Sequence, residues 1–398
     1  MNTVDARPPP SVPTLRLASF YFAYYAALGA FNPYWALYLK ERGQDVAAIS
    51  ILMSLWYGTR IFAPSTWSAL AARSSHPIRW LRAGSVLTVA SFAFFTLPHD
   101  FSALFVVMCV FCFMYNAVMP QFESITLSHL VGKSERYGRI RVWGSIGFVA
   151  VVALFGVLLD HLPVTALPWL MLPLFAAMAI AAFFNDYGRP PLVATDVESP
   201  SFIGKLRRPE VIAFFIVALL MQISFGPYYT FYSIYLDEHG YRTSALGIYW
   251  SIGVIVEILV FAFSAWIFRR WNAASVLIVS LIAASLRWAM VATWPDNIIL
   301  MAFAQTLHAL SFAAFFAASM QFLVLFFPGR QNGHAQGIYY GFSSGIGGVL
   351  GALLSGQVWE AAGGETAFLL GSAAAALAAI IAWIWIRPAC SNSANTGG

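Results

Sequence analysis

Long apolar stretches alternate with short polar interruptions along the whole chain. A helix needs about 20 apolar residues to cross the hydrocarbon core of a bilayer. By that criterion the pattern predicts an all-α membrane protein with twelve transmembrane helices. They are expected at residues 15–39, 46–72, 78–98, 101–131, 138–160, 164–185, 209–236, 243–268, 273–294, 297–327, 334–359 and 365–386.

The longest polar interruption covers residues 186–208 and contains prolines and charges of both signs. Six predicted helices precede it and six follow it. It therefore predicts a cytoplasmic linker between an N-terminal half, residues 1–185, and a C-terminal half, residues 209–398.

Composition supports the membrane class. Hydrophobic residues make up 60% of the chain and charged residues only 10%, against about 25% charged in soluble domains. A soluble chain of 398 residues could not hide that much apolar surface. The net charge of +5 therefore describes the loops of a membrane protein and does not indicate nucleic-acid binding.

Lys and Arg are shared unevenly between the two sets of loops. Of the 22 basic residues, 17 fall on the side of the N-terminus. Three (Lys40, Arg42 and Arg242) fall on the other side, and two (Arg60 and Arg287) lie within spans. Cytoplasmic loops carry the excess of Lys and Arg. We therefore expect a multi-pass protein of the inner, cytoplasmic membrane with both termini in the cytoplasm.

An internal repeat relates the two halves. FNPYWALYLKERG at 31–43 recurs as FGPYYTFYSIYLDEHG at 225–240, and beyond these segments the copies run in register at an offset of 197. In that register Arg60 corresponds to Glu257, so one mid-membrane position holds a cation in one half and an anion in the other. Repeated halves with a site at the bilayer midplane are typical of transporters.

Few ionisable residues lie inside the predicted spans. A charge at mid-membrane costs roughly 3 kcal/mol on insertion scales, so such residues pair, face the interior of the bundle or touch water. They are Arg60, Glu123, Glu257, Arg287 and His308, with Arg141 near a span boundary.

Helical spacing places further polar and aromatic residues on the faces of these charges. The resulting cavity would be mostly aromatic with few polar groups, which suits a small amphipathic or aromatic organic solute. For substrate binding we expect Arg60, Arg141, Arg287, Asn32, Gln222, Gln305, Tyr25, Tyr229 and Trp250. For proton coupling we expect Glu257, Glu123 and His308.

Each of these groups also has a structural interpretation. Arg60 and Glu257 could form an ion pair that closes the two halves, or Arg287 could simply neutralise Glu257. The aromatic faces could be packing. Two further alternatives are a hydrogen-bonded interior role for His308 and a structural lock between Glu123 and Arg141.

Proton coupling is the mechanism that the charges favour. A nearby cation stabilises the ionised form of a carboxylate in a low-dielectric site, and isolation favours the neutral form. If alternating access changes the distance from Glu257 to Arg287 or Arg60, proton affinity changes with conformation. We therefore expect Glu257 to be the principal proton carrier and Glu123 the second.

Three segments carry a resemblance to a known family: GYRTSALGIYWSIGVIVEILVFAFSAWIFRR at 240–270, YGRIRVWGSIGF at 137–148 and SLRWAM at 285–290. With the twelve spans and duplicated halves, they resemble the major facilitator superfamily. Within it they look like the phenylpropionate permease (3-phenylpropionic acid transporter) branch, which is similar to the lactose permease branch.

The resemblance implies roles for particular residues. Glu257, Arg287 and His308 match a Glu, an Arg and a His that handle sugar and protons in the lactose permease pattern. Glu123 and Arg141 match a Glu and the second Arg of a G-R-x-R that bind sugar there. Proton-coupled uptake is the implied activity.

The chain departs from the family pattern at two places. SALAARSSHPIRWLR, after the second span, lacks the family's Asp. One turn after His308, Ser311 and Phe312 stand where lactose permease has an acid. We therefore expect proton release to fall to Glu257 itself.

The sequence favours a proton symporter for a small organic solute such as an aromatic carboxylic acid. A proton-coupled drug or metabolite efflux antiporter is the alternative with the same fold. A membrane enzyme or non-transporting sensor is the alternative of another class, but the sequence has no H-E-x-x-H motif and no full G-x-x-x-x-G-K-[ST] phosphate loop. We therefore expect no enzyme activity, cofactor or metal.

The expected partners are a small organic substrate, protons and the lipid bilayer, with no nucleic acid and a monomeric state. Cys109 and Cys112 form a C-x-x-C inside an apolar span. Thiols acting there as small apolar residues are the favoured interpretation.

Overall fold

The computed structural model describes residues 12–131, 133–188, 201–329 and 331–388, which are mostly helical. The first six helices are α1 Thr14–Glu41, α2 Val46–Ala72, α3 Ile78–Ala93, α4 Phe101–His129, α5 Tyr137–Leu159 and α6 Leu167–Phe183. The next are α7 Pro209–Glu238, α8 Thr243–Arg270, α9 Ala273–Thr293, α10 Ile298–Phe326, and a run over Gln331–Ile386 that forms α11 and α12. Short helical turns lie at Phe94–Thr96, Ser134–Arg136, Val164–Ala166 and Ser201–Leu206.

Twelve helices long enough to span a bilayer are present in the described residues. Ten segments qualify by length and composition, and the 56-residue run Gln331–Ile386 counts as one of them. That run is two helices, α11 over residues 331–362 and α12 over residues 364–386, because the backbone leaves the helical region at Gly363 (φ 81°, ψ 173°). With the 28-residue α1, the predicted all-α fold of twelve helices in two bundles is confirmed.

Some sequence predictions fall outside the described part of the chain. Most of the predicted linker over residues 186–208 lies there, as do the first eleven residues and Cys390. The half boundaries therefore stay a prediction. Cys109 and Cys112 are free thiols, and Cys112 is buried in the core.

Equivalent tyrosines of the two halves make equivalent hydrogen bonds. The Tyr38 hydroxyl donates to the Phe95 carbonyl at 3.0 Å, across 57 residues of sequence. The Tyr235 hydroxyl donates to the Ala292 carbonyl at 3.1 Å, again across 57 residues. The internal repeat is thus a repeat of structure as well as of sequence.

The repeat extends to the start of a helix in each half. Asp100 accepts a hydrogen bond from the Ala103 backbone N–H and caps α4. Asn297 accepts one from Leu300 and caps α10. Asp and Asn satisfy the orphan N–H groups of a first helical turn, which is why both helices begin at these positions.

Glycines set how closely α1 and α5 approach. A Cβ on Gly29 would lie 2.6 Å from the Phe148 carbonyl oxygen, and one on Gly147 would overlap the Phe22 carbonyl. Small residues let two membrane helices pack backbone to backbone. This contact fixes the orientation of the α5 face that carries Arg141.

The two ends of the bundle differ in charge. We call the end where α2 finishes and α3 begins the basic face, because Arg73, Arg79 and Arg82 lie there with Arg269 and Arg270 at the end of α8. The other end, where α1 finishes and α2 begins, is called the far face.

At the far face an ion pair joins the two halves. Lys40 Nζ lies 3.1 Å from Asp237 Oδ2 and 3.6 Å from Glu238 Oε1. Lys40 and Asp237 are separated by 197 residues, so they are equivalent positions of the repeat. The groups are 39% to 50% exposed, and such pairs contribute about 0.2–1 kcal/mol.

A second contact at the far face joins α5 to α8. Asp160 Oδ1 accepts hydrogen bonds from Thr243 Oγ1 at 2.7 Å and from the Ser244 backbone N–H at 3.1 Å. Partial burial raises the pKa of the Asp160 carboxyl, but the hydrogen bonds from Ser244 and Thr243 outweigh it, so its pKa lies below the ordinary value. The ionised Asp160 carboxylate therefore stabilises the contact between the two halves at the far face.

Replacing Gly363 is expected to destabilise the protein, because its backbone lies in a region that essentially only glycine adopts. Gly363→Ala should cost about 1–3 kcal/mol and lower the apparent melting temperature in detergent. Gly333→Ala is the control, since a Cβ there meets nothing and its backbone is helical. Equal melting temperatures for the two variants would contradict this account.

Removing the Asp160 carboxylate is expected to let the far face separate. Two hydrogen bonds of about 1 kcal/mol each are lost in Asp160→Ala, so the separated population at pH 7 should rise roughly thirty-fold. Spin labels at Glu41→Cys and Glu365→Cys, in a background without the native cysteines, would report the distance between halves.

The same labels test the pH dependence of this contact. A carboxylate with a lowered pKa stabilises the contact above its ordinary pKa, about 3.9, and loses that contribution as the pH falls through the lowered pKa. The distance should therefore hold steady between about pH 5 and pH 8. A distance that lengthens already near pH 6 would show that another group controls closure.

Candidate functional site

A cavity of about 930 Å³ lies between the two halves and is lined by helices of both. Its lining includes Pro64, Glu123 and Gln336, which belong to the parts of α2, α4 and α11 nearer the basic face. The far-face contacts of Lys40 and Asp160 close the other end. The cavity therefore extends from the middle of the bundle toward the basic face.

Most of the predicted site residues line this cavity. They are Glu257, Glu123, His308, Arg60, Arg141, Asn32, Gln222, Tyr25, Tyr229 and Trp250. Arg287 and Gln305 are fully buried behind the cavity wall, and Arg287 contacts both His308 and Gln305.

Three charged or titratable side chains of the C-terminal half form a chain toward the cavity. Arg287 Nη1 lies 2.9 Å from His308 Nδ1, and Arg287 Nη2 donates to Gln305 Oε1 at 3.0 Å. His308 Nε2 lies 3.5 Å from Glu257 Oε2, whose side chain is 19% exposed. The chain thus runs from a buried guanidinium to a carboxylate that reaches the cavity.

The geometry defines the tautomer of His308. A guanidinium only donates hydrogen bonds, so His308 Nδ1 must accept from Arg287. The ring proton is then on Nε2, where it faces the Glu257 carboxylate. His308 is a neutral imidazole in this conformation and connects a cation to an anion.

Aromatic and amide groups hold Arg287 without a carboxylate. Its guanidinium lies 4.3 Å from the ring centroids of Tyr228 and Trp288. Gln305 Nε2 donates to the Tyr232 hydroxyl at 2.6 Å, which orients the amide oxygen toward Arg287. Cation–π contacts and oriented dipoles of this kind stabilise a desolvated charge.

Two local features make room for His308 and aim it. A π-helical turn, Ala309–Ala314, begins directly after it, and such turns occur frequently at functional sites. A Cβ on Gly253 of α8 would lie 3.3 Å from His308 Cδ2, so glycine leaves space for the ring. Gly253 and Glu257 are one turn apart and share a face.

The N-terminal half contributes a second charged cluster. The Tyr137 hydroxyl donates to the Glu123 carboxylate, at 3.2 and 3.0 Å from its two oxygens. Arg141 Nε lies 3.9 Å from Glu123 Oε1. Its guanidinium also lies 4.0 Å from the Tyr25 ring centroid and 5.5 Å from that of Tyr21.

Arg60 has a different environment. Its Nε donates to Asn116 Oδ1 at 3.3 Å. Asn116 Nδ2 in turn donates to the Trp56 carbonyl and to Thr59 Oγ1, both at 2.9 Å. The guanidinium lies 5.1 Å from the Trp56 ring centroid and 5.8 Å from that of Tyr57.

These contacts bear on the structural alternatives. Arg60 bonds to Asn116 and Glu257 contacts His308, so the two do not pair in this conformation. Arg287 reaches Glu257 only through His308. The side-chain roles proposed from the sequence stay predictions.

Sequence reasoning missed three members of the site. Tyr137, Trp56 and Tyr57 were not among the expected residues. A signal was available, because Tyr137 precedes Arg141 by one helical turn and the other two precede Arg60 by one turn.

Twelve helices in two related halves, around a central cavity with charges at membrane depth, define a membrane transporter of the major facilitator type. The chain belongs to the MFS_1 like family, whose sequence model matches residues 14–370. It is 29% identical over 315 residues to the "Probable 3-phenylpropionic acid transporter" of Escherichia coli (strain K12), covering 77% of this chain and 81% of that protein.

Other relatives have different substrates in their names. The maltose permease of Geobacillus stearothermophilus is 23% identical over 346 residues and 86% of each chain. A crystal structure of the nucleoside transporter NupG superposes with a TM-score of 0.82 at 18% identity, covering 94% of this chain and 99% of that one. At that identity the superposition supports the fold alone.

The neutral tautomer of His308 is a testable consequence of the Arg287 contact. In protein labelled with ¹⁵N-histidine, the His308 signals should show one protonated and one bare ring nitrogen at pH 7. His308→Gln assigns those signals, and Arg287→Gln should remove the preference for the Nε2–H form. Two protonated nitrogens at pH 7 in the wild-type protein would contradict the assignment.

Proposed function

We propose that the protein is a proton-coupled symporter that takes up a small organic solute, such as an aromatic carboxylic acid, by alternating access. The observation that carries this proposal is the chain from buried Arg287 through neutral His308 to Glu257 at the cavity. It acts as a carrier and not as an enzyme.

Glu257 is the proposed proton carrier. In this conformation its carboxylate faces the cavity and the N–H of His308. A proton from the cavity neutralises the carboxylate and weakens its attraction to the His308 dipole and the cation behind it. The acid can then leave His308 when the halves move, without carrying a bare charge through the low-dielectric interior.

Glu123 is the proposed second acid. It shares its carboxylate between the Tyr137 hydroxyl and Arg141, on the opposite wall of the same cavity. Arg141 stacks on Tyr25. This pair supports a role in positioning solute near the basic face, with proton handling shared between the two halves.

The cavity suits a small organic solute. Its volume of about 930 Å³ falls within the range of small-molecule sites, which are apolar and aromatic with a few placed polar groups. Tyr24, Trp56 and Phe148 line it together with the charged residues. The name of the Escherichia coli relative supports an aromatic acid as the first solute to test.

The excess of Lys and Arg at the basic face supports a cytoplasmic location for that face in the inner membrane. The conformation described here would then be open to the cytoplasm and closed at the far face. The protein would act as a monomer, because the cavity is built within one chain.

Replacing Glu257 by Gln should abolish accumulation driven by a pH gradient while leaving downhill exchange, because glutamine cannot release a proton. Radiolabelled 3-phenylpropionate, maltose and uridine would be offered to proteoliposomes with an imposed pH gradient, with and without a protonophore. Glu360→Gln, an exposed site at the far face, is the control and should behave as wild type.

The same assay separates the proposal from its alternatives. Unchanged uphill uptake in Glu257→Gln would rule out the carrier role of that residue. Solute movement opposite to the proton flux would show an efflux antiporter instead.

A further inference from the structure

The charges around the cavity do not balance. Three guanidinium groups and two carboxylates lie at membrane depth in the described residues. Arg141 is paired with Glu123, and Arg287 is linked to Glu257 through His308. Arg60 is left without an anion: among the described residues Asn116 is its hydrogen-bond partner, and the ion pairs found do not include it.

A neutral side chain positions Arg60 and leaves its positive charge uncompensated. Asn116 spends both donors of its amide on the Trp56 carbonyl and Thr59 Oγ1. Its amide oxygen is therefore turned toward Arg60 Nε, which fixes the root of the guanidinium. Arg60 is half-buried and lines the cavity, so its outer nitrogens are available to a ligand.

The other two arginines are poorer anchors for an anion. Arg287 is fully buried behind His308. Arg141 lines the cavity but already lies beside the Glu123 carboxylate, which would repel a second anion. An unpaired cation at membrane depth is costly, and an anionic ligand at Arg60 would remove that cost.

We propose that Arg60 is the anchor for the carboxylate of a monoanionic substrate whose apolar part lies among the aromatic side chains of the cavity. This inference rests on the proposed transport function. A guanidinium binds a carboxylate through two parallel charge-assisted hydrogen bonds. The rings of Trp56 and Tyr57, 5.1 and 5.8 Å from the guanidinium, offer an apolar surface next to that head group.

The same count of charges predicts whether one transport cycle moves net charge across the membrane. The empty carrier with both carboxylates ionised holds one excess positive charge around the cavity. Binding a monoanion removes that charge, and protonating Glu257 restores it. The loaded, protonated carrier therefore has the same charge as the empty one, so transport of one anion with one proton is electroneutral.

Binding to the purified protein in nanodiscs tests the anchor. The probes are 3-phenylpropionate and 3-phenylpropanamide, its neutral amide of the same shape, measured by calorimetry at pH 7.5. Wild type should bind the carboxylate about 10- to 100-fold more tightly than the amide. Arg60→Gln should remove this preference, Arg60→Lys should keep part of it, and Arg73→Gln, an exposed arginine directly after the same helix, should leave it unchanged.

Equal affinity of wild type for acid and amide would overturn the proposal, and this comparison does not depend on any variant folding. A preference that survives in Arg60→Gln, eluting normally on size exclusion, would overturn the choice of Arg60. Uptake that responds to a potassium diffusion potential at constant pH gradient would overturn the electroneutral cycle.

Failure of this inference differs from failure of the transport proposal. Proton-driven uptake of maltose or uridine, with no binding of the carboxylate, would overturn the anion anchor while transport stands. Carboxylate binding that depends on Arg60, without proton-driven uptake, would support the anchor and overturn the coupling.

Discussion

A buried guanidinium is the constraint on which the C-terminal half depends. Arg287 is fully excluded from solvent, so every hydrogen bond that it gives up to water must be replaced within the protein or paid for in stability. His308 and Gln305 replace two of those hydrogen bonds and two aromatic rings face the guanidinium, while Arg287 Nε has no hydrogen-bond partner among the described residues. None of these groups carries a negative charge. Arg287 is therefore linked to a carboxylate only through the His308 imidazole, which contacts Glu257. Glu257 thus lies at the cavity, although Arg287, the cation to which it is linked, is buried behind the cavity wall.

The two halves meet the same physical demand in different ways. The N-terminal half places Arg141 beside Glu123 and supports both with tyrosines. The C-terminal half separates its cation and anion by a histidine. Arg141 and Glu123 face each other at 3.9 Å with no residue between them, while a relay through a neutral ring can be broken when either helix moves. The chemistry of the site is therefore asymmetric although its scaffold is duplicated.

The amino-acid sequence predicted the helices and the charged residues within them. Both can be read locally, from the length of each apolar stretch and from the cost of placing a charge in the membrane. The sequence did not predict which of these side chains contact each other. Arg60 and Glu257 are equivalent in the repeat but take Asn116 and His308 as neighbours. That choice depends on the rotation of each helix about its axis, which the π-helical turn after His308 alters. Hydropathy does not record such a turn.

Lys40 and Asp237 occupy equivalent positions of the two repeats and touch each other, so they lie close to the pseudo-twofold axis that relates the halves. Two identical halves would bring like charges together there: lysine against lysine, or aspartate against aspartate. Two identical halves could not make the contact between Lys40 and Asp237. Opposite charges at these two equivalent positions therefore require halves that differ in sequence, so an attraction on the axis is open to a fused chain and closed to a symmetric dimer.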